Sequence, residues 1–178
     1  MAILGLNTMR VLTKAQPLLS YVLAWADVPA TMGGTLRYRA SETPNVWLLD
    51  DTVCYADPEY GDISALPGTP TDGASIPRLL WGLAGPPLRD ARVAGPSGIH
   101  DLLYYLAGMT QFSRRDADII FARALRANGV SFLKVLAYYL GVRAGGWLGW
   151  RAHRRDPAFQ AEMMGYLWAE APGGHHAE

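Results

Sequence analysis

The feature that most constrains the fold is a change in the spacing of apolar residues at about residue 75. Before it, TLRYRA alternates Leu36, Tyr38 and Ala40 with arginines, which is typical of a half-buried strand. VWLLDDTVCYAD continues with two short apolar runs around Asp50 and Asp51, a pattern that predicts a hairpin. Beyond it, apolar residues recur at helical spacing. The sequence therefore predicts an α+β fold, with a small antiparallel sheet in the N-terminal half packed on a C-terminal helical bundle.

Caps and helix breakers divide the second half of the chain. Ser113 followed by Asp116 predicts a capping box at a helix start, and Asn128-Gly129 predicts the end of that helix. The next helix is apolar nearly all round, so we expect it to lie at the centre of the bundle. A final amphipathic helix is predicted near the C-terminus. The predicted helices cover about 76–81, 95–107, 113–128, 131–143 and 157–170.

The length fits one domain with a sizeable core, since half of the 178 residues are apolar. We expect an apolar N-terminal arm over 1–34, an α+β domain over 35–150, and a C-terminal helical extension with a flexible tail over 151–178. Within the arm, residues 15–26 (AQPLLSYVLAWA) end in a triplet typical of a secretory signal. Pro17 interrupts this stretch, so we favour a docking arm over an export signal.

Charge, hydropathy and cysteine content argue against several classes of protein and of site. Sixteen basic and sixteen acidic residues give no net attraction to nucleic acid or an anionic membrane. No apolar run reaches the roughly 18 residues of a membrane span. Cys54 alone excludes an intrachain disulfide and a cysteine-based zinc site, and we expect it to be a small buried residue. The run GGWLGW predicts an exposed apolar surface, which suggests a protein partner.

One histidine lies in a setting that suits chemistry. His100, in GIHDLLYYLAG, shares a helix face with Tyr104, and Asp101 points about a quarter-turn away. His175 and His176 lie in the tail, while His153, among arginines in RAHRR, is expected on a solvated face.

A carboxylate on the next helix adds to this candidate. Asp118 lies at the edge of an apolar stripe, where a carboxylate is costly unless it is paired. Its partner could be Arg114 on its own helix or His100 on the preceding one. The short connection at 108–112 predicts that the two helices are antiparallel neighbours, which would bring His100 and Asp118 together.

Several interpretations of these residues remain open. His100 can be a general base, a metal ligand or a satisfied core histidine. The chain has neither the earlier histidine of the "HD" phosphohydrolases nor the H-E-x-x-H of zincins. One divalent metal ion held by His100 with Asp72, Asp101 or Asp118 stays possible. A Ser75–His100–Asp118 triad has the right residue types, but Ser75 is better explained as a helix cap.

Four ordered motifs carry a resemblance to a known family. TDGASIPRLLW, IHDLLYY, SRRDADIIFARALRANGV and YYLGVRAGGW resemble an uncharacterised domain family of tailed phages, prophages and gene-transfer agents. The resemblance covers roughly Leu36 to Trp150. Here Gly95-Pro96-Ser97-Gly98 precedes His100 where the family usually has an unbroken helix, and both terminal extensions are longer than the family pattern. The matching polar residues are Asp72, Ser75, Arg78, His100, Asp101, Tyr104, Ser113, Arg114, Asp118 and Arg143.

These matches define the candidate site. Ser113 and Arg114 fit a capping role at a helix start. Catalytic roles are assigned to His100, Asp101, Asp118 and Asp72. Contacts with substrate are assigned to Ser75, Tyr104 and Arg78. A metal ion, if one is bound, would be held by His100, Asp72 and Asp118.

The resemblance implies a virion-associated protein, at the tail tip or baseplate, present in the host cytoplasm during assembly. The N-terminal arm and the C-terminal helix would attach it to other virion or tail proteins, and no nucleic acid partner is expected. If the site is catalytic, we expect a hydrolase, metal-dependent or not, that acts on the host envelope. The alternative is a non-enzymatic structural or adaptor protein whose His/Asp cluster is a buried hydrogen-bond network.

Overall fold

A computed structural model describes residues 37–73 and 89–166 in full, together with the backbone of two short strands at 32–33 and 167–170. The N-terminal arm, the helix predicted at 76–81 and the tail after 170 lie outside the described residues, apart from the strand at 32–33. The structure has antiparallel strands in its N-terminal half and helices in its C-terminal half, which confirms the α+β prediction.

The described strands form two small antiparallel sheets, ordered β1-β4-β5-β7 and β2-β3-β6. The strands are β1 (Met32–Gly33), β2 (Tyr38–Ala40), β3 (Trp47–Leu49), β4 (Val53–Asp57), β5 (Gly61–Ala65), β6 (Pro70–Thr71) and β7 (Leu167–Glu170). The described helices are α1 (Ala91–Tyr105), α2 (Arg114–Ala127), α3 (Phe132–Gly145), α4 (Trp147–His153) and α5 (Pro157–Met164).

The predicted hairpin around Asp50-Asp51 is wrong. Its two apolar runs are β3 and β4, and they belong to different sheets. The Asp50 N–H donates to the Arg37 carbonyl (2.9 Å), and the Arg37 guanidinium holds the Asp51 carboxylate (2.8 Å). The acidic pair is thus bonded to the segment before β2 and lies where the chain passes from one sheet to the other.

The expectation that Cys54 is buried is also wrong. Residues on β4 alternate between the two faces of the sheet, so that Val53, Tyr55 and Asp57 are buried while Cys54 and Ala56 are exposed. An apolar residue in a strand can lie on either face, and here the register places the thiol outward. On β2 the strand itself is confirmed, but its Ala40 is exposed.

Helix α1 begins earlier than predicted and continues through Pro96. Asp90 caps it by accepting from the Arg92 N–H. Proline has no N–H to donate to the carbonyl four residues before it, which here is that of Arg92. The Asn128 side-chain amide donates to this carbonyl at 2.9 Å and so supplies the hydrogen bond that Pro96 cannot.

The central helix is α1, and the prediction that the helix at 131–143 is central is wrong. Every residue of α1 from Val93 to Tyr104 is buried. In α3, by contrast, Leu133 is 77% exposed and Leu140 is 42% exposed. Gly98 lets α1 approach the sheet closely, because a Cβ there would lie 3.2 Å from the Leu49 side chain.

Helix α2 has the predicted capping box and lies antiparallel to α1. Ser113 accepts from the Asp116 N–H, and Asp116 accepts from the Ser113 N–H. Asn128 after α2 contacts Arg92 at the start of α1, and Tyr104 near the end of α1 bonds to α2. These contacts at both ends confirm the antiparallel arrangement.

The predicted helix over 157–170 is too long. It ends at Met164, and β7 then pairs with β5 along the sheet edge. The backbone N–H and carbonyl groups at the edge of β5 stabilise an extended backbone at 167–170. The helix preference of these residues in the sequence gives no sign of that pairing. The helix predicted at 131–143 ends at Gly145, and α4 begins immediately after Gly146.

Two hydrophobic clusters make the core. One joins α2 and α3 through residues such as Phe121, Leu125 and Tyr138. The other joins α1, α2 and both sheets through residues such as Tyr55 and Leu102. Within the described part of the chain, no helix has the length and apolarity needed to cross a membrane.

Candidate functional site

The site is centred on His100, a buried residue of α1. Its Nε2 lies 3.2 Å from Asp118 Oδ1 on α2, and its Nδ1 lies 3.4 Å from Asp101 Oδ1. The ring also packs against Tyr104, with centroids 4.3 Å apart. The predicted pairing of His100 with Asp118 is therefore confirmed, and both ring nitrogens face carboxylates.

Asp118 is fully buried and surrounded by donors. Oδ1 accepts from the Tyr104 hydroxyl (2.6 Å), and Oδ2 accepts from Arg143 Nη1 (2.6 Å). Arg114 Nη1 lies 3.7 Å from Oδ2 and also donates to the carbonyl of Arg143 (3.2 Å). Both predicted partners, Arg114 and His100, are present, and Arg143 is a third. The predicted capping role of Arg114 is corrected, since its guanidinium binds carbonyls at the end of α3.

Asp101 connects α1 to the loop at the end of β6. Its Oδ2 accepts from the Thr71 hydroxyl (2.6 Å) and from the N–H groups of Asp72 and Gly73 (3.2 Å each). Gly73 has φ of +92°, which an L side chain rarely adopts, so that glycine is what lets the loop turn its N–H groups onto Asp101. In the TDGASIPR motif, it is therefore the backbone N–H groups of Asp72 and Gly73 that bind the Asp101 carboxylate.

Burial and charge shift the proton affinities of this cluster. Burial alone would lower the pKa of His100, but the hydrogen bonds and negative charges of Asp101 and Asp118 prevail and raise it to about 9. Burial opposes ionisation of Asp118, yet bonds from His100, Tyr104 and Arg143 hold its pKa below the usual range. At neutral pH the cluster therefore contains an imidazolium between two carboxylates.

A cavity of about 280 Å³ lies beside this cluster. Asp72 is exposed and lines the cavity together with His100. Ser75 and Arg78, predicted to contact substrate, lie outside the described residues. The lining residues are Asp72, His100, Asp101, Tyr104, Tyr105, Val142, Gly145, Gly146, Leu148, Gly149 and His153.

The arrangement does not fit a metal ion at the predicted ligands. Among the residues described, no group of three or more His, Cys, Asp or Glu side chains is placed to hold one. The nitrogens of His100 face carboxylates, and Arg143 and Arg114 lie against Asp118, where positive charge repels a cation. The metal version of the site therefore has no support in the geometry of His100, Asp72 and Asp118.

Sequence reasoning missed several residues of the site. Thr71, in β6, is buried and donates to Asp101, and nothing in its local pattern marks that bond. His153 was expected on a solvated face but is only partly exposed, with its ring 4.9 Å from Tyr105. Burial lowers its pKa, so that it is neutral at pH 7. The helical spacing of Gly149 and His153 is the one signal that could have placed them on a common face.

The fold and the site define an α+β protein in which a buried His/Asp/Arg cluster joins two helices beside a small cavity. Comparison with known families gives a match over residues 47–142, more than half of the chain. The chain belongs to the family described as "Protein of unknown function (DUF1353)". No curated protein and no solved structure matches it significantly.

Proposed function

We propose that the protein is a virion-associated component of a tailed phage or prophage, located at the tail tip or baseplate. The four motifs that resemble domains of tailed phages, prophages and gene-transfer agents support this origin. Exposed apolar residues on α3 and α4 support attachment to other virion proteins, since Leu133, Leu140, Trp147 and Leu148 are each at least 42% exposed.

We propose further that the His100 cluster is a structural network that fixes the packing of α1, α2 and α3. The observation that carries this proposal is that the polar side-chain atoms of His100 and Asp118 all contact other groups of the cluster. Both nitrogens of His100 face carboxylates, and both oxygens of Asp118 accept from or pair with donors. An imidazolium held in this way has no lone pair with which to take a proton from substrate.

A second candidate is a hydrolase that acts on the host envelope. The observation in its favour is the cavity, which His100, Tyr104 and Asp101 line together with the exposed Asp72. A concave site with several ionisable groups is the usual setting for catalysis.

The virion location is tested by mass spectrometry of purified particles from a host that carries the gene. The protein should co-purify with particles at a constant ratio to known tail proteins through a density gradient. Its absence from particles that contain every other tail protein would overturn the location.

The role of the cluster is tested with wild-type protein and the variants His100→Ala and Asp118→Asn on isolated host envelopes. A structural network predicts no release of soluble fragments by wild-type protein, and a lower melting temperature in both variants. Release by wild-type protein, lost in both variants while their circular dichroism is unchanged, would instead establish the hydrolase.

A further inference from the structure

The chain has no net charge, but its charges are unevenly distributed along it. No Asp or Glu occurs between Asp118 and Asp156, a stretch that includes α3 and α4 and contains seven basic residues: Arg123, Arg126, Lys134, Arg143, Arg151, Arg154 and Arg155. The side chains outside residues 37–73 and 89–166 add no net charge, because they comprise three basic and three acidic groups: Arg10, Lys14 and Arg78, and Asp27, Glu170 and Glu178. The segment of α3 and α4 is therefore basic in a neutral molecule.

Three of these arginines are exposed at the end of α4. Arg151 lies on α4, and Arg154 and Arg155 follow the helix directly. The Arg151 guanidinium lies over the ring of Trp147, 5.6 Å from its centroid. Among the described residues, none of the three arginines forms an ion pair with a carboxylate, and the adjacent Asp156 caps α5. Their positive charges are therefore available to an anionic partner.

Large apolar side chains lie beside these arginines. Trp147 is 46% exposed and Leu148 is 63% exposed, and both lie in the first turn of α4. Met109, which is 48% exposed, follows Gly108, where a Cβ would lie 3.0 Å from the Arg154 Nε. Exposed apolar groups of this size next to unpaired cations are typical of an interaction surface.

We propose that this α4 patch binds the surface of an anionic lipid bilayer. The α4 patch consists of Met109, Trp147, Leu148, Arg151, Arg154 and Arg155. Its arginines contact the lipid phosphates, while Trp147 and Leu148 enter the boundary between the headgroups and the acyl chains. Arginine suits this position because its aliphatic stem lies along apolar groups while its guanidinium reaches the phosphates.

Other occupants fit the α4 patch less well. A second copy of the chain that used the same patch would bring arginines against arginines, and like charges disfavour such a pair. Nucleic acid offers phosphates to the arginines but has no apolar layer to receive Leu148. The proposal goes beyond the virion role and does not depend on it, since Leu133 and Leu140 on α3 remain for attachment to other proteins.

The first test is co-sedimentation of the full-length protein with lipid vesicles. Binding to vesicles of equal amounts of phosphatidylglycerol and phosphatidylcholine should be at least about tenfold tighter than to phosphatidylcholine alone, because each arginine near an anionic surface contributes about fivefold. Salt at about 1 M should weaken it by screening. Equal binding to both kinds of vesicle, no binding to the anionic vesicles, or tighter binding to a duplex DNA oligonucleotide would overturn the proposal.

A charge-matched pair of variants locates the contact. Arg154→Gln combined with Arg155→Gln should weaken binding to the anionic vesicles about twentyfold. Arg37→Gln combined with Arg39→Gln removes the same charge at β2 and should weaken it less than about threefold. Equal weakening by the two double variants would show that net charge, and not the α4 patch, governs binding, and would refute the assignment.

A second pair of variants tests the apolar contact. Trp147→Ala should weaken binding at least about tenfold, whereas Leu133→Ala at the opposite end of α3 should leave it unchanged. Lipids brominated on their acyl chains should quench the tryptophan fluorescence of bound wild-type protein, and Trp147→Phe should show clearly less quenching. Bound wild-type protein without quenching, or equal effects of Trp147→Ala and Leu133→Ala, would contradict the insertion of Trp147.

Discussion

Replacing Asp118 with Asn is the sharpest test of the buried network, because it removes one charge and leaves the shape. The wild-type carboxylate accepts from Tyr104 and Arg143, both at 2.6 Å, and lies 3.2 Å from His100 Nε2. An asparagine keeps one acceptor oxygen, while its amide directs two donors at groups that are themselves donors. The change therefore leaves the buried imidazolium of His100 with Asp101 as its remaining anionic neighbour and leaves Arg143 facing a neutral side chain.

The expected magnitude follows from burial. The side chain of Asp118 is 0% exposed and that of His100 is 2% exposed, so water cannot replace the lost carboxylate. Removing one member of a buried ion pair costs about 3–5 kcal/mol of unfolding free energy. In a chain of 178 residues this corresponds to a fall in melting temperature of roughly 6–20 °C.

The assay is urea unfolding followed by tryptophan fluorescence, with the wild-type protein as reference. Asp62→Asn is the matched control, because Asp62 is exposed on β5 and the substitution should change the unfolding free energy by less than about 0.5 kcal/mol. A loss below about 1 kcal/mol in Asp118→Asn, with an unchanged denaturant slope, would refute the view that this network stabilises the helix packing.

Two further predictions follow from the same geometry. The pKa of His100 is raised from 6.5 to about 9, so its stabilising effect is complete below pH 6.5 and is lost as the pH rises through 9. Between pH 7 and pH 9.5 the unfolding free energy of the wild-type protein should fall by about 2 kcal/mol, and that of His100→Asn should fall distinctly less. Equal losses in the two proteins would show that groups other than His100 cause the loss of stability. Gly146→Ala should lower the unfolding free energy by about 1–3 kcal/mol, because the new Cβ would lie 2.7 Å from the Val142 carbonyl and 2.8 Å from the Tyr104 ring. A melting temperature equal to that of wild type would contradict this reasoning, and Gly149→Ala, which meets no atom, is its control.

Structural features that depend on residues close together in the chain could be predicted from the sequence. The capping box at Ser113 and the helix end at Asn128-Gly129 depend on neighbours in the chain, and both were predicted correctly. The pairing of His100 with Asp118 was also predictable, because a short connection forces α1 and α2 to be neighbours. The fold class followed in the same way from the period of the apolar residues.

The rest was decided by contacts between residues far apart in the chain. Helix α1 continues through Pro96 because Asn128, 36 residues away from Arg92, donates to the carbonyl that proline leaves open. Residues 167–170 form a strand because the edge of β5 offers hydrogen bonds to an extended backbone. The stabilising hydrogen bonds in both cases join residues far apart in the chain, so a short stretch of sequence cannot reveal them.

The same division applies to the site. The sequence by itself determined which residues carry charge, and it predicted that His100 or Arg114 would pair with Asp118. Only the tertiary structure decided that Thr71 and the loop after it hold Asp101, and that Arg143 completes the shell of Asp118. It also placed His153 beside Tyr105 at the cavity rather than in solvent. The physical reason is that burial and hydrogen-bond geometry are properties of the assembled elements, whereas charge and helical spacing belong to the chain.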